Sequence, residues 1–170
     1  MHTLNLRGKL YPLDEPQIMG ILNVTPDSFF AESRTSDDEQ IAARVKQMMD
    51  EGADMIDIGG YSSRPGADDV SPQEEMERLR RGLRIVRKLY PNVPISVDTF
   101  RADVARMCIE EEGADLINDI AAGMMDRQMF KTVARLGVPY IMMHMQGTPE
   151  TMQLDPHYNN LRREVMLYFA

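Results

Sequence analysis

"EGADMID", residues Glu51–Asp57, returns as "EGADLIN" at Glu112–Asn118, with a looser echo in "RLGVPYIMMH" from Arg135 to His144. Each copy joins a helix exit, a glycine able to take left-handed backbone and the start of an apolar run, so helix, glycine and strand recur as one unit. The units are roughly 30 residues long, the size of a βαβ element. Working outward, "IMGILNV", "MIDIGG", "PISVD", "LINDI" and "YIMMHM" read as five buried strands separated by longer stretches of helical period.

The helices carry their own start and stop signals. Ser36 with Glu39 forms a capping box for the first, which places Ile41, Val45, Met48 and Met49 on one face and ends at Gly52. Ser71, Pro72 and Glu74 start the second, with Met76, Leu79, Leu83 and Val86 directed to the core. Two more are expected near Ala102 to Glu112 and Asp126 to Leu136, and a last amphipathic stretch covers Leu161 to Phe169. The segment "LNLRGKLYPL" near the N-terminus permits a hairpin across the floor of the domain.

Alternating β and α units fit either an open doubly wound sheet or a closed (β/α)8 barrel. The strand ends favour the barrel. Asn23, Asp57, Asp98, Asn118 and His144 place a hydrogen-bonding group at the end of strand after strand. A barrel gathers all of these at a common rim, whereas an open sheet concentrates its site at one switch point. Taken singly, each has a plain structural reading: Asn23 could cap a turn ahead of Pro26, and Asp98 could cap the helix that follows it.

With 170 residues the chain can bury one real core, so residues 1–170 are read as a single domain. Its net charge of -8 argues against a sequence-independent grip on nucleic acid or anionic membrane. One cysteine, Cys108, allows no internal disulfide, and it reads as a small buried residue beside Val104 and Ala105. The N-terminal residues lack a signal-peptide core and no run reaches membrane-spanning length, so a cytoplasmic protein is expected. His2, His144 and His157 lack zinc-ligand spacing. Arg78, Arg80, Arg81, Arg84, Arg87 and Lys88 read as a solvated ion-paired face, with Glu74 and Glu77 at helical spacing from Arg78 and Arg81.

Five segments together resemble the successive signatures of the dihydropteroate synthases. They are "NVTPDSF" (Asn23–Phe29), "SSRPGA" (Ser62–Ala67), "ISVDT" (Ile95–Thr99), "INDI" (Ile117–Ile120) and "MHMQGTPETMQ" (Met143–Gln153). The resemblance runs from Met19 onward and implies an α/β fold of the (β/α)8 TIM-barrel type, here truncated after about five strands. It implies a transferase of folate biosynthesis that condenses 6-hydroxymethyl-7,8-dihydropterin diphosphate with 4-aminobenzoate, releasing diphosphate. The family is a sulfonamide target, and a homodimer is expected at full length. The isolated chain is expected to be inactive, because the family's last three strands have no counterpart before Ala170.

Carried over by motif, the resemblance makes Asp98 and Arg64 catalytic. It assigns substrate contacts to Ser63, Arg64, Pro65, Asp98, Asn118, Asp27 and Phe29, and contact with Mg2+ to Asn23. The chemistry of each suits its role: a carboxylate and an amide match the donors and acceptors of a pterin edge, and a guanidinium fork matches phosphate oxygens. The sequence departs from the family where Phe30 to Ser33 replace a Ser-Asp-Gly-Gly stretch, where Tyr61 replaces a frequent glutamate, and where Ser63 replaces a threonine. Two other readings stay open. One is a methyltetrahydrofolate:corrinoid methyltransferase-like barrel, and the other is a non-catalytic half-barrel that binds pterin.

Overall fold

A computed structural model of the chain describes residues 2–25, 34–61, 70–149 and 151–170, with the backbone alone for 34–37. Two short strands, β1 (Thr3–Leu6) and β2 (Lys9–Pro12), pair antiparallel around Arg7 and Gly8. Both turn residues have positive φ, 50° and 79°, the backbone a two-residue hairpin loop requires.

The main sheet contains β3 (Met19–Asn23), β4 (Met55–Gly59), β5 (Ile95–Asp98), β6 (Leu116–Asp119) and β7 (Tyr140–Met142). Each strand pairs parallel with the next in chain order. Helices α1 (Arg34–Asp50), α2 (Pro72–Leu89), α3 (Ala102–Glu110) and α4 (Met129–Leu136) form the crossovers, and α5 (Leu161–Phe169) follows β7. A strand order without reversal has no switch point, so this sheet is a run of successive barrel staves.

Period-2 alternation divides the sheet into two faces. Leu22, Ile56, Ile58, Ile95, Val97 and Ile117 join Val45, Leu79, Leu83, Val86, Val104 and Val133 of the helices in one buried cluster. Gly82 lets α2 lie close against β4, since a Cβ there would stand 2.5 Å from Ile58 Cδ1. The opposite face is polar toward its upper end. One layer of register partners runs Ile21, Asp57, Ser96, Leu116, and the next runs Asn23, Gly59, Asp98, Asn118, Ile141.

The repeat finds its physical reason at the other end of the strands. Gly52 and Gly113 take φ of 100° and 66° at the helix exits. Two residues later the Asp54 carboxylate accepts the Ile18 N–H at 2.8 Å, and the Asp115 carboxylate accepts the Ile95 N–H at 2.8 Å. Each thus ties down the start of the preceding strand. Asp115 also receives Arg87 at 2.6 Å, and Arg87 donates onward to the carbonyls of Val93 and Gly113. Arg7 Nε lies 2.5 Å from Asp115 Oδ1, a close ion pair without hydrogen-bond angles, which pins the hairpin turn to this floor.

Several local expectations shift. Helix α1 already includes Arg34 and Thr35, so the capping box proposed at Ser36 falls within the helix. Ser71 does cap α2, accepting from Glu74 N at 3.2 Å, while the Glu74 side chain turns to Arg78 at 2.5 Å. Arg81 pairs with Asp38 of α1 rather than with Glu77, and Arg80 and Arg84 pair with Glu112. Helix α4 begins at Met129 rather than Asp126, because the Asp126 carboxylate instead accepts from Ala102 N and Gln128 N.

Burial separates the two ion pairs of Asp115, whose side chain is 1% exposed against 17% for Arg87 and 48% for Arg7. Asp115→Ala strands the buried Arg87 guanidinium and is expected to cost about 3–5 kcal/mol in urea unfolding. Arg7→Ala is expected to cost no more than about 1 kcal/mol, because its charge is largely solvated.

Candidate active site

The carboxyl ends of β3 to β6 carry the polar side chains of the inner face. Asn23 ends β3, Asp98 ends β5, and Gly59 stands between them in the register. A Cβ on Gly59 would lie 3.4 Å from Asn23 Oδ1 and 3.7 Å from Asp98 Oδ2. The glycine therefore leaves a gap flanked by an amide and a carboxyl group. On β6, Asn118 is the register partner of Asp98, and its Nδ2 donates to Asp57 Oδ2 at 2.9 Å. That bond reaches from β6 to β4 across the face of β5.

The capping alternative does not account for Asp98, and the turn ahead of Pro26 considered for Asn23 lies outside the described residues. The first turn of α3 is held by Asp126, which accepts from Ala102 N at 2.8 Å, and by Thr99, which accepts from Arg101 N at 3.2 Å. Asp98 takes no part in capping. The Asn23 side chain makes no hydrogen bond among the described residues. Two further inner-face atoms, Asp57 Oδ1 and Ser96 Oγ, are buried without a hydrogen-bond partner, and they belong to register neighbours. Unpartnered buried polar atoms also occur in the floor network at Arg87 and Asp115, so those on this face are read together with the strand-tip residues beside them.

Electrostatics agree with this placement. Burial pushes the Asp98 carboxyl up to about 7, with further upward contributions from the negative charges of Asp57, Glu75 and Asp119. Behind the rim, Glu75 of α2 is fully buried and accepts from Thr99 and Arg101, each at 2.7 Å. Burial raises its pKa, opposed by those two partners. The Arg101 guanidinium lies 5.2 Å from the Tyr61 ring centroid and 5.1 Å from that of Phe100. This network joins the ends of β4 and β5 through α2, and it gives the tyrosine at position 61 a partner.

Of the residues expected from sequence, Asn23, Asp98 and Asn118 thus share the rim. Asp27, Phe29, Ser63, Arg64 and Pro65 lie outside the described residues. His144 falls two residues beyond β7 and stacks on Tyr168, ring centroids 4.5 Å apart, so it belongs to an aromatic cluster with α5. Asp57, expected at a strand end, instead lies in the middle of β4, one layer below the rim in register with Ile21 and Ser96, because the strand runs on to Gly59. Its signal was the repeat itself, which aligns Asp57 with Asn118. Cys108 is buried, and burial raises its thiol pKa, as expected of a core residue. Among the described residues no group of three or more His, Cys, Asp or Glu could hold a metal ion, and no helix is long and apolar enough to cross a membrane.

A parallel sheet in strict chain order, with its polar groups at the carboxyl ends of the strands, defines an α/β protein of barrel type whose ligand site opens at the strand tips. Residues 19–170 match the pterin binding enzyme family, and the chain belongs to it. It is 42% identical to the dihydropteroate synthase of Haemophilus influenzae over 165 residues, 97% of this chain and 59% of that protein. The structure of Xanthomonas albilineans dihydropteroate synthase with 4-aminobenzoic acid aligns with a TM-score of 0.83 and 38% identity, covering 98% of this chain and 58% of that one. The same synthase in complex with 7,8-dihydropteroate aligns with a TM-score of 0.79 and 34% identity, covering 99% and 57%. The chain therefore spans less than two thirds of these relatives, and its sheet corresponds to part of their barrel.

The raised pKa of Asp98 has a consequence for stability. Below about pH 4 the carboxyl is protonated in both folded and unfolded chains. Between there and about 7 the unfolded chain ionises while the folded carboxyl keeps its proton, so stability is lost across that window and stays lost above it. Asp98→Asn is therefore expected to raise the melting temperature by several degrees at pH 8 and to leave it nearly unchanged at pH 4. Equal shifts at both pH values would contradict the electrostatic account.

Proposed function

We propose that the chain supplies the pterin and diphosphate side of a dihydropteroate synthase. The observation that carries this is the convergence of Asn23, Asp98 and Asn118 on one face of a sheet that aligns with a synthase bound to 7,8-dihydropteroate. A pterin edge offers adjacent N–H donors and acceptors. The Asp98 carboxyl and the Oδ1 of Asn118, which makes no hydrogen bond among the described residues, can meet them from neighbouring strands.

The reaction breaks the C–O bond between the pterin methylene and diphosphate, and the aromatic amine of 4-aminobenzoate takes the vacated position and loses a proton. The cation left on the dihydropterin is delocalised into its ring system. Asp98 is placed to hold the pterin and to offset positive charge as it develops, which is electrostatic stabilisation rather than strong-base chemistry. Arg64, with Ser63 and Pro65 of the same motif, is assigned to the diphosphate, and Asp27 and Phe29 to the aminobenzoate side. These assignments rest on the family motifs.

The donors present also fit Mg2+. Asn23 offers one neutral amide oxygen beside the space left by Gly59, which suits an ion that takes most of its coordination from phosphate and water oxygens. Asn23 would hold such an ion, which would supply charge neutralisation for a diphosphate leaving group. Turnover by the whole enzyme draws on the remainder of the barrel, and a cytoplasmic homodimer is its expected form. Both of these points rest on the resemblance of the sequence.

Calorimetric titration of 6-hydroxymethyl-7,8-dihydropterin into the chain tests the reading. Saturable binding is expected, weakened about tenfold or more by Asp98→Ala, the worth of one charge-assisted hydrogen bond. Undiminished binding by the variant would remove Asp98 from the pterin site.

A further inference from the structure

Asp57 is 5% exposed, on the inner face of β4, and none of the family motifs above includes it. Its Oδ2 accepts from Asn118 Nδ2 at 2.9 Å, and its Oδ1 has no hydrogen-bond partner. An ionised carboxylate can only accept. Turning the Asn118 amide over would therefore set its oxygen against the Asp57 oxygen, exchanging a charge-assisted bond for repulsion. The amide is held in one of its two orientations. Its Oδ1 makes no hydrogen bond among the described residues and is left to act as an acceptor at the strand tips.

We infer that Asp57 is a positioning residue, which locks the Asn118 side chain so that its carbonyl oxygen faces the ligand and selects for a ring N–H donor at that point. The inference rests on the pterin reading of the site and names the residue that gives that reading its polarity. Without the lock, an asparagine presents either a donor or an acceptor, and discriminates poorly between a ring nitrogen that carries hydrogen and one that does not. The reach of the bond from β6 to β4 also matters. It holds the two strands flanking Asp98 in a fixed relation, so acceptor and carboxyl meet one ligand edge together.

Proton–nitrogen correlation spectra of the chain test the lock directly, with the Asn118 amide identified by its disappearance in Asn118→Asp. In the unaltered chain one Asn118 amide proton is expected to be shifted downfield and to exchange with water at least about tenfold more slowly than those of exposed asparagines. Ordinary shifts and exchange for that amide would overturn the inference without any variant having to fold. In Asp57→Asn the signature should vanish while the melting curve shows a folded protein, and affinity for 6-hydroxymethyl-7,8-dihydropterin should fall about tenfold or more. Loss of the signature with unchanged affinity would equally overturn the positioning role. If the unaltered chain fails to bind the pterin while the amide signature is present, the functional reading fails and the lock itself stands.

Discussion

Parallel pairing in chain order is the constraint on which the rest of this molecule depends. Because every strand runs the same way, every carboxyl end reaches the same edge of the sheet, and residues far apart in sequence become register neighbours. Asn23, Asp98 and Asn118 meet for that reason. The crossover helices follow from the same constraint, since parallel strands cannot be joined by tight turns, and their apolar faces bury one side of the sheet. That leaves the other side to carry polarity.

The two ends of the strands treat buried aspartates in opposite ways. At the floor, Asp115 accepts from Arg87 and the Ile95 amide and has Arg7 against its second oxygen, so its charge is compensated by cations and a backbone dipole. Toward the rim, Asp57, one layer below Asp98, has a single amide partner, and Asp98 has none among the described residues and lies in the field of Asp57. The same residue type is thus a structural tie at one end and a strained, poorly satisfied group at the other. Such dissatisfaction costs stability and is expected where a ligand completes the hydrogen bonding. Behind the rim, the Glu75–Arg101 pair restores the floor's logic, because it buries a charge only together with its partners.

Much of the fold was legible because it rests on periodicity. The repeat at Glu51 and Glu112 announced helix, glycine and strand, and the strand runs and the helix cores around Val45 and Leu83 were found where expected. Legibility failed where a side chain chose a distant partner over a near one. Arg81 reaches Asp38 on another helix, Asp126 divides its carboxylate between the start of α3 and its own helix, and His144 turns to Tyr168. Local spacing carries no information about such choices.

The sequence by itself determined the βα alternation, the strand termini and the membership of Asn23, Asp98 and Asn118 in one set, because these depend on local pattern and on motifs repeated along the chain. Only the tertiary structure decided that Asp57 reaches across a strand to Asn118, that Gly59 leaves a gap between Asn23 and Asp98, and that Asp98 holds its proton to about 7. Those outcomes depend on which charges share a low-dielectric space once the sheet has formed, and distance along the chain does not encode distance across a sheet.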